Sequence, residues 1–165
     1  MNDLLPNLIE ALREELTQYG EMLALLDQQQ NHVMERHTRD VLQSVADLNS
    51  QTSLIAAKRE EREQCQRDLA RQLCLPETAI FGVIVPLLPA DYRPLVQALV
   101  QENNELLIRV QQRVRQNHLL LSHAVELMQQ LIHSIFPGTS PKTYNDSGRS
   151  PVAIIPQHSL YEAVG

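Results

Sequence analysis

Six histidines are the residues of this sequence best suited to binding a metal ion. His32 and His37 lie five residues apart, and His118 and His123 have the same spacing. Two ligands on one face of a helix are usually four residues apart, as in HExxH, so neither pair matches that pattern. The histidine spacing therefore predicts no metal site.

The cysteines and carboxylates do not predict catalysis either. Cys65 and Cys74 lack CxxC spacing, and neither lies near a basic catalytic partner in the sequence. The chain has no HExxH, GxGxxG or P-loop motif, and its acidic residues form no recognisable pair. We predict a binding protein rather than an enzyme, with no cofactor. Two thiols without a disulfide framework favour a reducing compartment.

The charge and hydrophobicity of the chain narrow the range of its partners. Its 165 residues include 20 acidic and 14 basic ones, and no run is strongly basic. Nucleic acid is therefore not an expected partner, because binding its backbone needs clustered Lys and Arg. No apolar stretch approaches the ~20 residues that span a bilayer, and the start, MNDLLPNLIEALREEL, is unlike a signal peptide. We predict a cytoplasmic protein without membrane insertion.

Three long helices are the elements that must position any site. Apolar residues recur in steps of three and four along three segments, which predicts helices over Leu4–Glu35, Thr38–Leu73 and Asp91–Phe136. The apolar stripe of the second segment consists of Leu42, Val45, Leu48, Thr52, Ile55, Cys65, Leu69 and Leu73.

Polar residues refine the prediction at the helix ends and surfaces. Thr38 or Asp40 is the expected N-cap of the second helix. Asp91 is the expected cap of the third, with Pro94 in its first turn. The charged run Lys58–Glu63 is interpreted as a solvated helix face, because both signs alternate along it.

The segment between the second and third helices is rich in helix breakers. Its apolar part, AIFGVIV, favours a short helical turn and a loop over a strand, which would have no partner strand. The predicted fold is all-α, a long antiparallel helical hairpin or three-helix bundle with a long C-terminal helix. Residues 1–136 would form the helical domain, and residues 137–165 an irregular tail that is flexible or folds back.

The third helix carries more apolar residues than two partner helices need. Asn103 and Asn117 interrupt its stripe, where a polar residue can fix register or pairing. Further apolar residues nearly encircle its C-terminal half. Either a wide buried face explains this surplus, in the three-helix core or in a homodimer, or the helix forms a groove that receives another protein's helix.

The segment RQNHLLLSHAVELMQQLIHSIFPGTSPKTYNDSGR resembles the C-terminal region of the FlgN-type flagellar export chaperones. In that family an Asn followed by leucines lies on a long final helix, and a tail tyrosine is followed four residues later by glycine. Here Asn117 precedes Leu120 and Leu121, and Tyr144 precedes Gly148. The segments MLALLDQQ and LNSQTSLIAAKREEREQ are similar to the family's first hairpin more loosely.

The resemblance implies a cytoplasmic chaperone without ATPase activity that serves the flagellar type III export system. It would bind the disordered C-terminal segments of hook-associated proteins, the two hook–filament junction proteins, and prevent their premature association. It would then deliver them to the cytoplasmic domain of the export gate, at the inner membrane. The client-binding residues would lie on the third helix: Leu106, Val110, Asn117, Leu120, Leu121, Leu127 and Leu131.

Tyr144 is an aromatic residue in a tail of turn-forming residues. The resemblance implies that it docks on the export gate, where one buried tyrosine can dominate a small interface. Alternatively, its ring packs on the chain's own helices. The alternative for the whole protein is a structural or adaptor coiled-coil protein that homodimerises through its third helix.

Overall fold

The computed structural model describes residues 3–135, which form four helices. They are α1 (Leu4–Met34), α2 (Thr38–Gln72), α3 (Phe81–Ile84) and α4 (Arg93–Ile135), with a 3-10 turn at Val85–Leu87. Residues 3–135 contain no strand. The all-α prediction is confirmed, and each long helix begins and ends within two residues of its predicted position wherever both positions are described.

The chain divides into two compact units, residues 1–120 and residues 121–165. The structure describes residues 3–120 of the first and residues 121–135 of the second. The predicted boundary between a helical domain and a tail, at residues 136 and 137, falls outside the described residues and stays a prediction. None of the helices between residues 3 and 135 combines the length and the hydrophobicity that a membrane span requires.

The core of the first unit is built on α1. Eight of its ten buried residues alternate in steps of three and four, which is the heptad repeat of helices that pack as a coiled coil. The residues of this seam are Leu5, Leu8, Leu12, Glu15, Tyr19, Met22, Leu26 and Gln29. Two of the eight are polar, so the seam depends on hydrogen bonds as well as on apolar packing.

The first part of α4 packs along α1 in the same direction. Buried residues recur on it every seven positions, at Val96, Asn103, Val110 and Asn117. Asn103 Nδ2 donates to the Leu12 carbonyl over 3.0 Å. Asn117 Nδ2 donates to the Leu26 carbonyl over 2.7 Å. Because both contacts advance by fourteen residues along each helix, α1 and α4 are parallel.

α2 runs antiparallel to α1 and packs on it through apolar side chains and through polar pairs. Lys58 Nζ lies 2.7 Å from a carboxylate oxygen of Glu14. Gln51, earlier in α2, donates to Gln18, later in α1. Hydrogen bonds to Glu14 and Glu61 raise the pKa of Lys58 above its usual value. These pairs keep the lysine charged.

The predicted apolar stripe of α2 is wrong in part: Leu48 and Ile55 pack on the core as predicted, but the first two residues of the stripe do not. Leu42 and Val45 are 69% and 43% exposed, whereas Ser44 and Gln51 are buried. The Gln51 amide donates to both the backbone carbonyl and the side-chain oxygen of Gln18, so it is satisfied inside the seam. A search for apolar periodicity does not find a buried position that is occupied by a hydrogen-bonded glutamine.

The charged run Lys58–Glu63 is not wholly the solvated face that its alternating signs predict. Glu15 on α1 is 3% exposed and accepts hydrogen bonds from Tyr19 Oη at 2.8 Å and from Arg62 Nε at 2.9 Å. A buried carboxylate needs such partners. Burial, together with the nearby Glu15 carboxylate, raises the pKa of Tyr19 well above its usual range. The hydroxyl of Tyr19 therefore stays protonated and donates to Glu15.

Both ends of the α1–α2 hairpin use left-handed residues to leave a helix. Arg36 and Cys74 have φ values of 60° and 57°. At the end of α1, the His37 amide donates to the His32 carbonyl, and the Arg36 amide donates to the Val33 carbonyl. This pair of bonds is the Schellman motif, which satisfies carbonyls at a helix end and reverses the chain.

The predicted helix caps are wrong, because the chain enters each helix differently. α2 begins at Thr38, so His37 occupies its N-cap position and makes no capping hydrogen bond with its side chain. Asp40 lies in the first turn of α2, where a negative charge favours the helix dipole. α4 begins at Arg93, so Asp91 lies one residue before the N-cap position.

The AIFGVIV segment forms α3 and the 3-10 turn, as predicted, and completes the core at one end of the bundle. Gln66 Nε2 donates to the Ala79 carbonyl over 2.8 Å, and the Arg62 guanidinium lies 5.9 Å from the centroid of the Phe81 ring. The apolar cluster at this end includes Leu8, Leu69, Ile84, Leu88 and Val96.

Candidate functional site

Residues 121–135, the described part of the second unit, carry an exposed apolar patch. Every residue from His123 to Ile135 is exposed. Scattered apolar residues are normal on a protein surface, but a contiguous apolar patch is typical of a binding site. Six large apolar side chains within eleven residues are 50–66% exposed: Val125, Leu127, Met128, Leu131, Ile132 and Ile135. We call these six residues the C-terminal apolar face.

The C-terminal apolar face occupies one side of the helix. At about 100° per residue, its members fall within an arc of about 160°. The remaining arc carries Ser122, His123, Glu126, Gln129, Gln130, His133 and Ser134. Such a division is the sequence signature of a helix that packs on one side only, against a partner helix or in a groove.

The electrostatics of this segment are nearly neutral. Among residues 116–135, Glu126 is the only Asp, Glu, Lys or Arg. Its carboxylate lies 3.4 Å from Nδ1 of His123, on the polar side of the helix. Binding at the face would therefore rest on apolar burial, which contributes about 1.5–3 kcal/mol for each large side chain that becomes fully buried. The arrangement suits a partner segment with an apolar side of its own.

Four of the sequence-predicted site residues lie at or close to this face. Leu127 and Leu131 are members of it and are 66% and 56% exposed. Leu120, the last residue of the first unit, and Leu121, the first of the second, are half-buried. The structure thus leaves the two residues farthest along α4 the most accessible.

The other three predicted residues lie in the first unit, against α1. Val110 is 8% exposed and packs with Tyr19 and other residues of α1, and Leu106 borders the same cluster. Asn117 Nδ2 donates to the Leu26 carbonyl and, over 3.1 Å, to the Gln29 side chain. A partner could reach Val110 and Asn117 only if α4 separated from α1, whereas Leu106 is half-buried. Their role in client binding stays a prediction.

Four members of the face are not among the sequence-predicted site residues. The sequence-predicted stripe of α4 includes Met128 and Ile135 but leaves Val125 and Ile132 beside it. That stripe consists of Leu95, Leu99, Leu106, Val110, Leu121, Ala124, Met128, Leu131 and Ile135. A seven-residue repeat drifts by ~20° per heptad on a straight helix, so a single line does not hold over forty residues. A periodicity restricted to residues 121–135 would have found all four.

The family of the chain is decided by comparison with known proteins. A model of the FlgN protein family matches residues 1–151, which include every described helix. The chain belongs to the FlgN family. Searches among curated proteins and among solved structures each gave no match. FlgN proteins are flagellar export chaperones, so this chain is one, and it binds flagellar proteins that are destined for export.

The C-terminal apolar face is a feature that a chaperone of the FlgN family would need. A chaperone has to present apolar surface before its client arrives, and the C-terminal apolar face is such a surface. The FlgN match also continues to residue 151 and so includes Tyr144. Tyr144 itself lies outside the described residues, and its predicted docking role stays a prediction.

Proposed function

We propose that this FlgN chain binds the disordered C-terminal segments of hook-associated proteins, the hook–filament junction proteins. It keeps these segments from associating prematurely and delivers them to the export gate. The observation that carries the proposal is the exposure of the C-terminal apolar face within a chain of the FlgN family. The segment around the face, residues 116–135, has a single charged residue, which supports a client that is recognised by apolar contacts.

The physical chemistry of export supports the same role. A client must stay unfolded to pass through a narrow channel, while an amphipathic terminal segment left alone would self-associate. The client segment can fold as a helix along the C-terminal apolar face and cover it. Ordering the client costs conformational entropy, so the affinity stays moderate, and release does not require nucleotide hydrolysis.

The proposal assigns different weights to the predicted residues. Leu127 and Leu131 make direct contact with the client, because they are exposed one helical turn apart. The half-buried Leu120 and Leu121 contribute at the edge of the client segment. Val110 and Asn117 contact the client only where binding separates α4 from α1, and the half-buried Leu106 adds a contact beside them.

The test replaces Leu127 and Leu131 together with Asp. Both side chains are exposed, so the variant should keep its helical circular dichroism and its unfolding temperature. Capture of the C-terminal segment of a hook-associated protein, measured by calorimetry and by co-purification, should fall at least tenfold, because two charges replace apolar contacts that the client would bury.

The matched control replaces Gln129 and Gln130 with Asp, which adds the same charge on the polar side of the same helix. This variant should bind the client like the unchanged chain. Equal binding by the Leu127→Asp/Leu131→Asp variant would move the client site away from the C-terminal apolar face.

The proposal gives Tyr144 the role of an export-gate anchor. Through it, the cytoplasmic chain docks transiently on the export apparatus at the inner membrane. Tyr144→Ala should then weaken binding to the cytoplasmic domain of the gate while client affinity and the unfolding temperature stay unchanged. A ring that folds back on the helices would give the opposite result. The unfolding temperature would drop by a few degrees, as expected for a loss of ~1 kcal/mol in a chain of this length, with gate binding unchanged.

The same exposed face also permits the second candidate function, a coiled-coil adaptor that homodimerises through α4. Light scattering on the free chain distinguishes the two. A dimer of twice 18.8 kDa that the Leu127→Asp/Leu131→Asp variant converts to a monomer, without any effect on clients, would favour the adaptor.

A further inference from the structure

The turn between α1 and α2 brings together two histidines that the sequence separates by five residues. On an uninterrupted helix this spacing does not place two ligands on one face. Here the left-handed Arg36 reverses the chain, and the His37 amide bonds back to the His32 carbonyl over 3.0 Å. The ring centroids of His32 and His37 are consequently 6.4 Å apart.

A carboxylate completes this group. One ring nitrogen of each histidine and one carboxylate oxygen of Asp40 all lie within 4.8 Å of one another. Nδ1 of His37 is 3.7 Å from the Asp40 carboxylate and 3.3 Å from that of Glu35. Nδ1 of His32 is buried and has no hydrogen-bond partner among residues 3–135. A buried ring nitrogen without a partner is uncommon, so the His32 ring has coordination capacity that the described protein atoms do not use.

We propose that His32, His37 and Asp40 bind a divalent transition-metal ion, with Zn²⁺ as the ion that fits best. Two imidazole nitrogens and one carboxylate oxygen are the donor set of open zinc sites, in which water takes the fourth position. Magnesium and calcium prefer oxygen donors throughout, so the two histidines select against them.

The geometry is compatible with a tetrahedral ion after small side-chain movements. Zinc ligands lie about 2.0–2.2 Å from the metal, which places tetrahedral donor atoms roughly 3.3–3.5 Å apart. The side chains of His37 and Asp40 are 55% and 53% exposed, so their rotamers are free to close the remaining distance. His32 is the more buried ligand and provides the fixed point of the site.

The consequence of binding is a clamp on the hairpin. His32 lies in the last turn of α1, His37 precedes α2, and Asp40 lies in the first turn of α2. An ion held by all three ties the two helix ends together across the turn. Because the ion binds the folded turn better than the unfolded chain, it stabilises the hairpin by mass action. None of these three residues belongs to the C-terminal apolar face.

The test is a calorimetric titration of the full, untagged chain with ZnCl₂ in a non-chelating buffer. We expect one ion per chain with a dissociation constant in the micromolar range. His37→Ala should weaken binding at least tenfold, and Asp40→Asn should weaken it several-fold. Saturating zinc should raise the unfolding temperature of the unchanged chain by a few degrees and leave that of His37→Ala unchanged.

Two control variants make the result specific. His118 and His123 have the same five-residue spacing on the uninterrupted α4, so replacing both with Ala should leave zinc affinity unchanged. Replacing Cys65 and Cys74 with Ser should also leave it unchanged, which excludes binding by thiols. Absence of zinc binding by the unchanged chain, or equal affinity after His37→Ala, would overturn the proposal. His37 is exposed, so its replacement tests the site without unfolding the hairpin.

Discussion

At the scale of single residues, two asparagines make the buried polar contacts between α1 and α4. Asn103 donates to the carbonyls of Leu12 and Leu99, both at 3.0 Å. The amide oxygens of Asn103 and Asn117 are buried without a partner among the described residues. Each asparagine is therefore satisfied only through its NH₂ group, and a buried acceptor left unpaired costs free energy. In return, each NH₂ group has to face one particular carbonyl of α1, and this requirement fixes the register of α4 on α1.

Asn103→Asp tests this requirement for a donor. The substitution keeps the shape but places a carboxylate against two carbonyl oxygens, so we expect a loss of about 3 kcal/mol or more in the free energy of unfolding at pH 7. Burial raises the pKa of the new carboxyl group above its usual ~4 in the folded chain only. Its neutral form can donate one hydrogen bond, so part of the stability should return as the pH falls towards ~4.

Urea unfolding at pH 7 and pH 4.5 measures both effects. Asn104→Asp is the matched control, because the neighbouring Asn104 is only half-buried and should tolerate the charge with a small change. A stable Asn103→Asp variant at pH 7 would show that the amide donor does not hold α4 on α1.

At the scale of the helix, α1 contains a glycine that its packing does not use. Gly20 is exposed in the interior of α1, and a Cβ atom added there meets no atom within 4 Å. Glycine in a helix interior costs about 0.5–1 kcal/mol relative to alanine. Gly20→Ala should therefore raise the unfolding temperature by about 1–4 °C in a chain of this length.

Ala24→Gly, one turn later on the same exposed side of α1, is the reverse substitution and should lower the unfolding temperature by a similar amount. A Gly20→Ala variant that unfolds earlier than the unchanged chain would mean that Gly20 serves a contact absent from the described residues.

The helices themselves could be predicted from sequence, whereas several of their contacts could not. Apolar periodicity found every long helix, because each apolar stripe stops at a connection: the polar turn at residues 35–37 after α1, and a proline-rich segment after α2. It misplaced the seam of α2, where the buried Gln51 is held by Gln18, and it assigned Arg62 to solvent although Arg62 pairs with the buried Glu15. Such polar residues can be buried because a specific side chain on another helix bonds to them. The sequence of one helix does not show which residue of another helix will be that partner.

The exposure of the candidate site residues could be predicted only in part. Leu127 and Leu131 follow from an apolar excess that two partner helices cannot cover, and both are exposed. Val110 and Asn117 lie on the same helix but pack against α1. How far along α4 this packing extends follows from contacts between helices, which the sequence of α4 alone does not reveal. The proximity of His32 and His37 depends on the left-handed Arg36, which residue spacing alone does not reveal.

At the scale of the whole molecule, the division after Leu120 predicts that the first unit folds without the second. Both buried clusters and both asparagine contacts lie within residues 1–120. A chain shortened to residues 1–120 should unfold cooperatively within a few degrees of the full chain and lose client capture. Circular dichroism melting and calorimetry with the client segment provide the two readouts. Retained capture would place the client site on the first unit, and a molten chain would show that residues 121–165 are needed to fold it.

The constant offset between α1 and α4 restricts how related chains can differ in length. Asn103 and Asn117 both meet a residue that precedes them by 91 positions. One residue inserted into α4 between the two asparagines would displace one contact relative to the other, and so would an insertion between Leu12 and Leu26. An insertion in residues 73–92 leaves both contacts in place, because it lengthens only the connection. Insertions and deletions that accumulate during evolution should therefore concentrate in that connection and be rare between the paired contacts.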